Sequence, residues 1–254
     1  MHKKMNKSVS LPVKVLYLHE TAKISGAEKS LLNLVKNLNR TKFSPIFVLP
    51  EEGPLSEKLK ELEIRIVFIK LPPIRKLKGV ISTIKKILKL VKIEKIKLIH
   101  SNSIRTHIYA AIVAKLSFIP VIWHERNLLT KERIDLDRLF SFLATKIICN
   151  SWAIAKRFLK NGRLPKKVVV IYNGVDTQEF NPQISPLKIR KEFGLNADTI
   201  LVGMISRFGP DKGQEGFLQA AKILLDSLSQ KEIKFFVVGS AVFTEDAWRE
   251  DYLR

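Results

Sequence analysis

The sequence predicts an α/β fold built on a doubly wound parallel sheet, followed by a second and smaller domain. Two observations predict the sheet. Short runs rich in Val and Ile recur along the chain and are continuously apolar, as expected for strands buried on both faces. Segments with helical periodicity separate these runs, and such alternation is typical of parallel sheets. A third observation, a polar stretch with two prolines at residues 177–188, predicts the division into domains.

Nine runs have the length and composition of buried strands. In chain order they are Val13–His19, Phe43–Leu49, Arg65–Leu71, Lys97–Ser101, Pro120–Glu125, Lys146–Asn150, Val168–Tyr172, Ile200–Ser206 and Lys234–Gly239. Seven intervening segments have helical periodicity: Ala27–Asn39, Leu55–Leu62, Val80–Glu94, Thr106–Leu116, Leu136–Ala144, Ala153–Asn161 and Glu215–Ser229. Seven strands precede the polar stretch and two follow it.

The helix Val80–Glu94 allows two interpretations. Its apolar residues fall on one face and most of its lysines, such as Lys85 and Lys89, fall on the other. The helix could lie on a membrane surface with its lysines near anionic headgroups. It could instead pack its apolar face on the sheet and leave the lysines in water. Its position between two strands favours packing, and lysines on a packed helix can still attract a membrane.

The polar stretch also separates two regions of different charge. Residues 183–254 carry ten basic and ten acidic residues, whereas residues 1–182 carry 35 basic and 14 acidic ones. We therefore predict domains at 1–182 and 183–254. The second has room for two strands, one helix and the charged segment Thr244–Arg254, which is too little for a complete domain. We expect it to be incomplete and poorly stabilised alone, with an apolar strand edge left unpaired.

The net charge of +21 therefore lies entirely in residues 1–182. This asymmetry indicates an anionic partner for that region, such as an anionic membrane surface. The alternative is an ordinary surface in a lysine-rich proteome. Nucleic acid is disfavoured as a partner because the basic residues are not interleaved with aromatic ones and no known nucleic-acid-binding module appears. The oligomeric state has no signal in the sequence.

The single cysteine and the pattern of apolar runs also indicate the cellular compartment of the protein. A single cysteine, Cys149, lies in an apolar run, so we expect a buried core thiol in a reducing compartment. Neither a signal-peptide pattern nor an apolar run of about 20 residues occurs. The chain is therefore predicted to be cytoplasmic or attached peripherally to the inner face of the cell membrane.

The loop after the eighth predicted strand has the character of a phosphate site. It reads Ile205-Ser206-Arg207-Phe208-Gly209-Pro210-Asp211-Lys212-Gly213 and precedes a helix. Ligands of open α/β sheets bind at the carboxyl ends of strands, where helix N-termini favour anions. Arg207 offers a planar fork of donors and Lys212 a compact charge, two ways of holding a diphosphate.

Residues after the first and fifth strands are candidates for the same crevice. Gly26 precedes an amphipathic helix and would let a ligand approach the backbone, although Ser25 and Glu28 equally fit an ordinary capping box. No GxGxxG fingerprint is present. His124 and His100 end neighbouring strands, and either imidazole could bind a sugar hydroxyl or carry a proton. A histidine at a strand end can equally be structural.

The turn Asn173-Gly174-Val175-Asp176, with an aromatic residue beyond it, completes a set of motifs that resembles glycosyltransferase family 4. The matching elements follow in order along the chain: Ser25-Gly26-Ala27-Glu28, His100-Ser101-Asn102, His124, Asn150-Ser151, Asn173-Gly174-Val175-Asp176, and Arg207 with Lys212-Gly213. The resemblance implies the GT-B fold, in which two Rossmann-like domains face each other. It also implies transfer of a sugar, with retention, from a nucleotide-diphosphate sugar to a glycan or lipid-linked acceptor.

The resemblance further implies roles for individual residues. Arg207 and Lys212 would hold the donor diphosphate, Gly26 would approach the reaction centre, and His124 would contact the donor sugar as the catalytic candidate. Further candidates for acceptor or sugar contacts are Glu28, His100, Asn102 and Asn173. No metal or other cofactor is expected. The amino-terminal domain would bind mainly the acceptor and the carboxyl-terminal domain mainly the nucleotide sugar.

The chain departs from the family pattern in its second domain. Family members usually carry two glutamates separated by seven residues late in that domain, and the sequence ends before that point. Glu20 and Glu28 have this spacing, but they lie in the wrong domain. We therefore expect a truncated product, a disrupted reading frame or one piece of a split enzyme, and no catalysis by this chain alone. The alternatives are a non-catalytic basic module that binds a membrane or partner chain and, among enzymes, a sugar-nucleotide epimerase of similar architecture.

Overall fold

A computed structural model describes residues 11–128, 135–209, 211–228 and 232–240. The fold is α/β, and the chain divides into two compact units between Phe180 and Asn181. This division lies within the polar stretch, two residues before the predicted boundary. All nine predicted strands are confirmed, with ends that differ by no more than three residues.

The first unit contains a seven-stranded, wholly parallel sheet. Its strands are β1 (Val13–Leu18), β2 (Phe43–Leu49), β3 (Arg65–Phe68), β4 (Leu98–Ser101), β5 (Val121–Glu125), β6 (Lys146–Cys149) and β7 (Val168–Val170). Its α-helices are α1 (Gly26–Lys36), α2 (Pro54–Glu61), α3 (Leu77–Glu94), α4 (Ile104–Ser117), α5 (Leu136–Phe140) and α6 (Trp152–Ala155). The predicted doubly wound Rossmann-like sheet is confirmed.

The order of the strands creates a crevice at one edge of this sheet. The order is β3-β2-β1-β4-β5-β6-β7, so the chain winds outward from β1 in one direction and from β4 in the other. β1 and β4 are neighbours, with Leu18 paired in register with Ser101. Their carboxyl ends form the topological switch point, where ligands of such sheets bind.

The core lies on both faces of the sheet, because alternate residues of a strand point to opposite sides. On one face Tyr17 and Phe47 stack and pack with apolar residues of α1 and α2. On the other face Leu16 and Val48 pack with residues of α3 and α4. Both faces are therefore covered, which explains why the strands are continuously apolar.

The helix α3 packs on the sheet, as its position between strands predicted. Val80, Ile87 and Val91 are buried in the core of the second face. Lys85 and Lys89 are exposed to solvent. Among the described residues, no helix has both the length and the apolar character needed to cross a membrane.

Two helix predictions were too long by four residues or more. α5 ends at Phe140 and passes into a 3-10 turn, and α6 ends at Ala155 before another 3-10 turn. The predicted extension of α6 to Asn161 was wrong because Asn161 and Gly162 both have positive φ and form a tight turn. Asn-Gly is a favoured sequence for such a turn. Cys149 is fully buried, as expected, and burial raises the pKa of its thiol to about 12.

The second unit contains α7 (Leu187–Glu192), β8 (Ile200–Ile205), α8 (Gln214–Ser227) and β9 (Ile233–Val238). The prediction missed α7, which begins directly after Pro186, a residue type that suits the start of a helix. β8 and β9 pair in parallel and with no third strand among the described residues. Ile205 is 84% exposed. Ser229 and the predicted segment Thr244–Arg254 lie outside the described residues.

Candidate functional site

The candidate site of the first unit lies where β1, β4 and β5 end. His19 follows β1, His100 belongs to β4 and His124 to β5, and each of the three is at least nine-tenths buried. The rings of His100 and His124 lie 5.4 Å apart, and that of His100 lies 4.9 Å from Tyr17. The strand order therefore brings the two predicted histidines into contact.

Arg126 connects these side chains, although the sequence gave no role to it. Its Nη2 lies 3.0 Å from Nδ1 of His124, and its Nη1 donates to Oδ1 of Asn102 at 2.9 Å. The Asn102 side chain also lies 3.5 Å from the carbonyl oxygen of Leu18, at the end of β1. The Nε2 of His100 lies 3.3 Å from the same His124 Nδ1. The amide oxygen of Asn102 thus contacts Arg126, and its amide nitrogen contacts Leu18.

Burial keeps both histidines neutral. Burial first, and then the charge of Arg126, lowers the pKa of His124 to about 2 and that of His100 to about 3. Burial also lowers the pKa of Arg126 to about 10, which still leaves it protonated at neutral pH. These imidazoles therefore offer hydrogen bonds at neutral pH and exchange no protons there.

Glu28 lies in the first turn of α1 and forms the capping box that was the alternative prediction for it. One of its carboxylate oxygens lies 2.7 Å from Nε2 of His19, and the other accepts from the backbone and hydroxyl of Ser25. Burial opposes ionisation, but these hydrogen bonds outweigh it and lower the Glu28 pKa to about 2. Both oxygens are engaged, so the geometry favours capping over a direct sugar contact.

Gly26 is the first residue of α1, and its surroundings are open. A Cβ placed there would meet no heavy atom within 4 Å. The start of α1 carries backbone N–H groups that have no partners within the helix. Gly26 therefore has the space beside it that a close ligand approach requires.

His124 also lines a cavity of about 660 Å³ within the first unit. The cavity is also lined by residues of α1 and by the segment 171–178, which contains Asn173. Ser30 donates to Oδ1 of Asn173 at 3.0 Å. Tyr172 lines the same cavity and is 66% exposed. Hydroxyl, amide and aromatic groups together can bind the hydroxyls and the apolar faces of a sugar ring.

A second buried cluster lies behind β5. Nε2 of His107 lies 3.1 Å from Glu125, and the His107 ring stacks on Trp123 at 4.8 Å. Among the described residues, His107, Glu125 and Asp137 place metal-ligating atoms within 4.8 Å of one another. Arg157 already contacts both carboxylates, at 3.1 and 3.5 Å. Because this cation supplies the counter-charge, we assign no metal to the cluster.

The predicted phosphate loop belongs to the second unit. Arg207 and Lys212 contact opposite oxygens of Asp211, at 2.7 and 3.0 Å, so this carboxylate brings the two cations together. Gln214 holds the loop by donating to Ser206 and to the carbonyl oxygen of Arg207. Gly213 has a positive φ of 78°, which glycine adopts readily. An incoming anion would compete with Asp211 for both cations.

The model of Glycosyltransferase Family 4 matches residues 24–179, which is more than half of the chain. The chain belongs to glycosyltransferase family 4. The match includes Gly26, Glu28, His100, Asn102, His124 and Asn173, and it ends before Arg207 and Lys212.

Similarity to individual proteins agrees with this assignment. The chain is 25% identical over 257 residues to the UDP-Gal:alpha-D-GlcNAc-diphosphoundecaprenol alpha-1,3-galactosyltransferase of Escherichia coli, with 94% of this chain and 65% of that protein covered. Anabaena HepE in complex with UDP and glucose is 25% identical, with a TM-score of 0.73 over 94% of this chain and 64% of HepE. The chain thus spans slightly less than two thirds of both relatives.

The fold is also shared with more distant proteins. A glycosyltransferase from Rickettsia africae has a TM-score of 0.70 at 17% identity, over 89% of this chain and 68% of that one. At this identity the similarity shows the fold alone. It agrees with the predicted GT-B class.

The sequence thus located most of the groups at this edge and missed their connections. It named His100, His124 and Asn102 but gave no role to Arg126 or His19. The signal for Arg126 was its place two residues after His124, because alternate residues of an extended strand share one side. The sequence could not show that Arg126, just after β5, lies within hydrogen-bond distance of Asn102, just after the neighbouring strand β4.

Proposed function

We propose that this chain carries the acceptor-side domain, residues 1–182, and part of the donor-side domain, residues 183–254, of a retaining glycosyltransferase. The donor would be a nucleotide-diphosphate sugar. Membership of family 4 supports transfer over epimerisation. The names of two relatives support a uridine nucleotide, because one acts on UDP-Gal and HepE binds UDP and glucose.

His124 is the catalytic candidate in this proposal. Its ring is neutral and the residue lines the 660 Å³ cavity. Its Nε2 is itself buried and has no hydrogen-bond partner among the described residues. A buried donor without a partner loses free energy that a ligand oxygen would restore. His124 would therefore donate to a hydroxyl of the donor sugar, and this observation carries the proposal. Asn173 and His100 would shape the same pocket, and Gly26 would leave room for the reacting groups.

Arg207 and Lys212 would bind the donor diphosphate. Glycosyl transfer develops negative charge on the departing diphosphate, and fixed cations stabilise that charge without solvent reorganisation. Asp211 holds the two cations together before the ligand arrives. We propose that the diphosphate replaces Asp211 as their partner. No metal is required by this arrangement, since the two side chains supply the positive charge.

The acceptor would be a lipid-linked or polymeric glycan precursor at the inner face of the membrane. The Escherichia coli relative is named for an acceptor whose sugar is joined to undecaprenol through a diphosphate. The excess positive charge of residues 1–182 suits such an anionic substrate and the membrane that holds it.

Binding measurements on the whole chain test this proposal. Calorimetry with UDP, UDP-glucose and UDP-galactose should show binding, and Arg207→Ala should weaken all three. His124→Leu, which removes the donor, should weaken the two UDP-sugars but not UDP, and His124→Gln, which keeps an N–H donor, should retain more affinity. Equal binding by wild type and Arg207→Ala would refute the diphosphate assignment. Equal binding of UDP-sugars by the Leu and Gln variants would refute the role of His124.

A second candidate function is binding of an anionic membrane without catalysis. The exposed lysines of α3, on a unit that holds the whole net charge, favour it. Vesicles with anionic lipids should bind the chain in a salt-dependent way. Lys85→Gln with Lys89→Gln should reduce this binding, whereas Lys188→Gln with Lys191→Gln, in the second unit, whose residues 183–254 have no net charge, should not. Failure to float with the vesicles at low salt would exclude this function.

A further inference from the structure

Arg126 makes a contact that constrains the protons of His124. The guanidinium nitrogen Nη2 lies 3.0 Å from the imidazole Nδ1. A guanidinium group only donates hydrogen bonds, whereas a neutral imidazole has one donor and one acceptor nitrogen. The Nδ1 of His124 must therefore accept, and the ring proton must lie on Nε2.

The surroundings of Nδ1 agree with this assignment. The other nearby group is Nε2 of His100, at 3.3 Å, which can donate to the same Nδ1. A proton on Nδ1 would instead face the Arg126 donor at close range. Protonation of both nitrogens is also opposed, because burial and the positive charge of Arg126 lower the pKa of His124.

The position of Arg126 is itself fixed. Its Nη1 donates to Asn102, whose amide reaches the carbonyl oxygen of Leu18. The charge of Glu28 also stabilises the arginine cation. Asn102, which follows β4, thus binds the guanidinium by a hydrogen bond, and Glu28 of α1 stabilises it by charge, whereas the buried Nε of Arg126 has no partner among the described residues. The contact with Nδ1 is part of this connected arrangement. Residues held in this way can orient a functional group.

We propose that Arg126 is a positioning residue that keeps His124 neutral with its proton on Nε2, so that His124 presents an N–H donor to the ligand. This inference rests on the proposed function only for the identity of that ligand. His124 thus binds an oxygen atom of the substrate by donation and does not act as a proton acceptor. The observations that motivate it are the buried Nε2, which has no partner among the described residues, and the cavity that His124 lines.

Nitrogen NMR of the whole chain tests the proposal without any substrate. With ¹⁵N-labelled histidine, and with His124→Gln to assign the signals, the His124 Nδ1 should resonate as an unprotonated nitrogen and Nε2 as a protonated one from pH 6 to 8. Arg126→Met, which removes the donor and the charge, should produce a population protonated at Nδ1. Arg126→Lys should retain the wild-type pattern.

Two results would overturn the proposal. One is a protonated Nδ1 in the wild-type chain, which decides the matter even if Arg126→Met does not fold. The other is the same distribution of protons in Arg126→Met as in wild type, which would mean that His100 alone holds the ring. UDP-glucose binding separates this proposal from the proposed function. If the NMR result is as expected but UDP-glucose does not bind, the function fails and the role of Arg126 stands.

Discussion

Removing the charge of Arg157 should destabilise the first unit strongly. Arg157 contacts three carboxylates, those of Glu125, Asp135 and Asp137, at 3.1, 2.7 and 3.5 Å. Glu125 is 3% exposed and Asp137 is 2% exposed, so water cannot take the place of the cation. Arg157→Met keeps a long apolar side chain and removes only the charge and its hydrogen bonds.

The magnitude follows from the burial of these groups. An exposed ion pair contributes about 0–1 kcal/mol, whereas loss of one partner of a buried pair costs about 3–5 kcal/mol because a buried charge is left uncompensated. The Arg157 side chain is 10% exposed, which places it with the buried pairs. We expect Arg157→Met to lower the free energy of unfolding by about 3–5 kcal/mol at pH 8.

The penalty should shrink in acid. Burial first, and then the charge of Glu125, raises the pKa of Asp137 to about 6, while Arg157 acts to lower it. Without Arg157 the folded-state pKa rises further above its unfolded value. A raised pKa makes the folded state bind protons more tightly than the unfolded chain. The destabilisation is therefore full above the folded-state pKa and is lost as pH falls through it toward the unfolded value.

Urea unfolding followed by tryptophan fluorescence measures this effect, since Trp123 is fully buried and stacks on His107. The loss of free energy caused by Arg157→Met should be clearly smaller at pH 5.5 than at pH 8. Arg163→Met, at an exposed position, is the matched control and should change stability little at either pH. A loss below about 1 kcal/mol at pH 8, as for an exposed pair, or an equal loss at both pH values, would refute the reasoning.

Three further predictions concern packing. The Cys149 thiol, buried and with its pKa raised to about 12, should react with iodoacetamide in the native chain far more slowly than in urea, and equal rates would contradict its burial. On α3, Ile87→Ala should cost about 2–5 kcal/mol in urea unfolding because Ile87 is fully buried, whereas the 55% exposed Ile81→Ala should cost less than about 0.5 kcal/mol. If the two cost the same, the orientation of the helix is wrong. Amide hydrogens of β8 should exchange faster than those of β1, because β8 pairs with a single strand among the described residues and none of its residues is fully buried. Equal protection would show that the second unit is as stable as the first.

Much of the fold followed from local patterns. Continuous apolar runs identified all nine strands, and the position of α3 between two of them correctly predicted its packing. The errors were also local. The helix predicted through Asn161 ended at Ala155, well before the Asn-Gly turn, and α7 was hidden by the prolines that suggested a linker. Periodicity identifies an element well, but the ends of short helices depend on a few turn residues.

The candidate site was also predicted in part from local patterns and decided in part by the tertiary structure. By itself the sequence determined the family and the residue types at the strand ends, because parallel strands all end at one edge and His100 and His124 come last or nearly last in theirs. Only the tertiary structure decided that Arg126 contacts both His124 and Asn102, that Glu28 is used in a cap, and that Arg157 serves three carboxylates. Two of these contacts join residues far apart in the sequence: Arg126 and Asn102 are 24 positions apart, and Arg157 and Glu125 are 32 positions apart. The others are closer in sequence. The contacts of Arg126 with Asn102 and of Arg157 with Glu125 depend on the order and register of the strands, which no local pattern records.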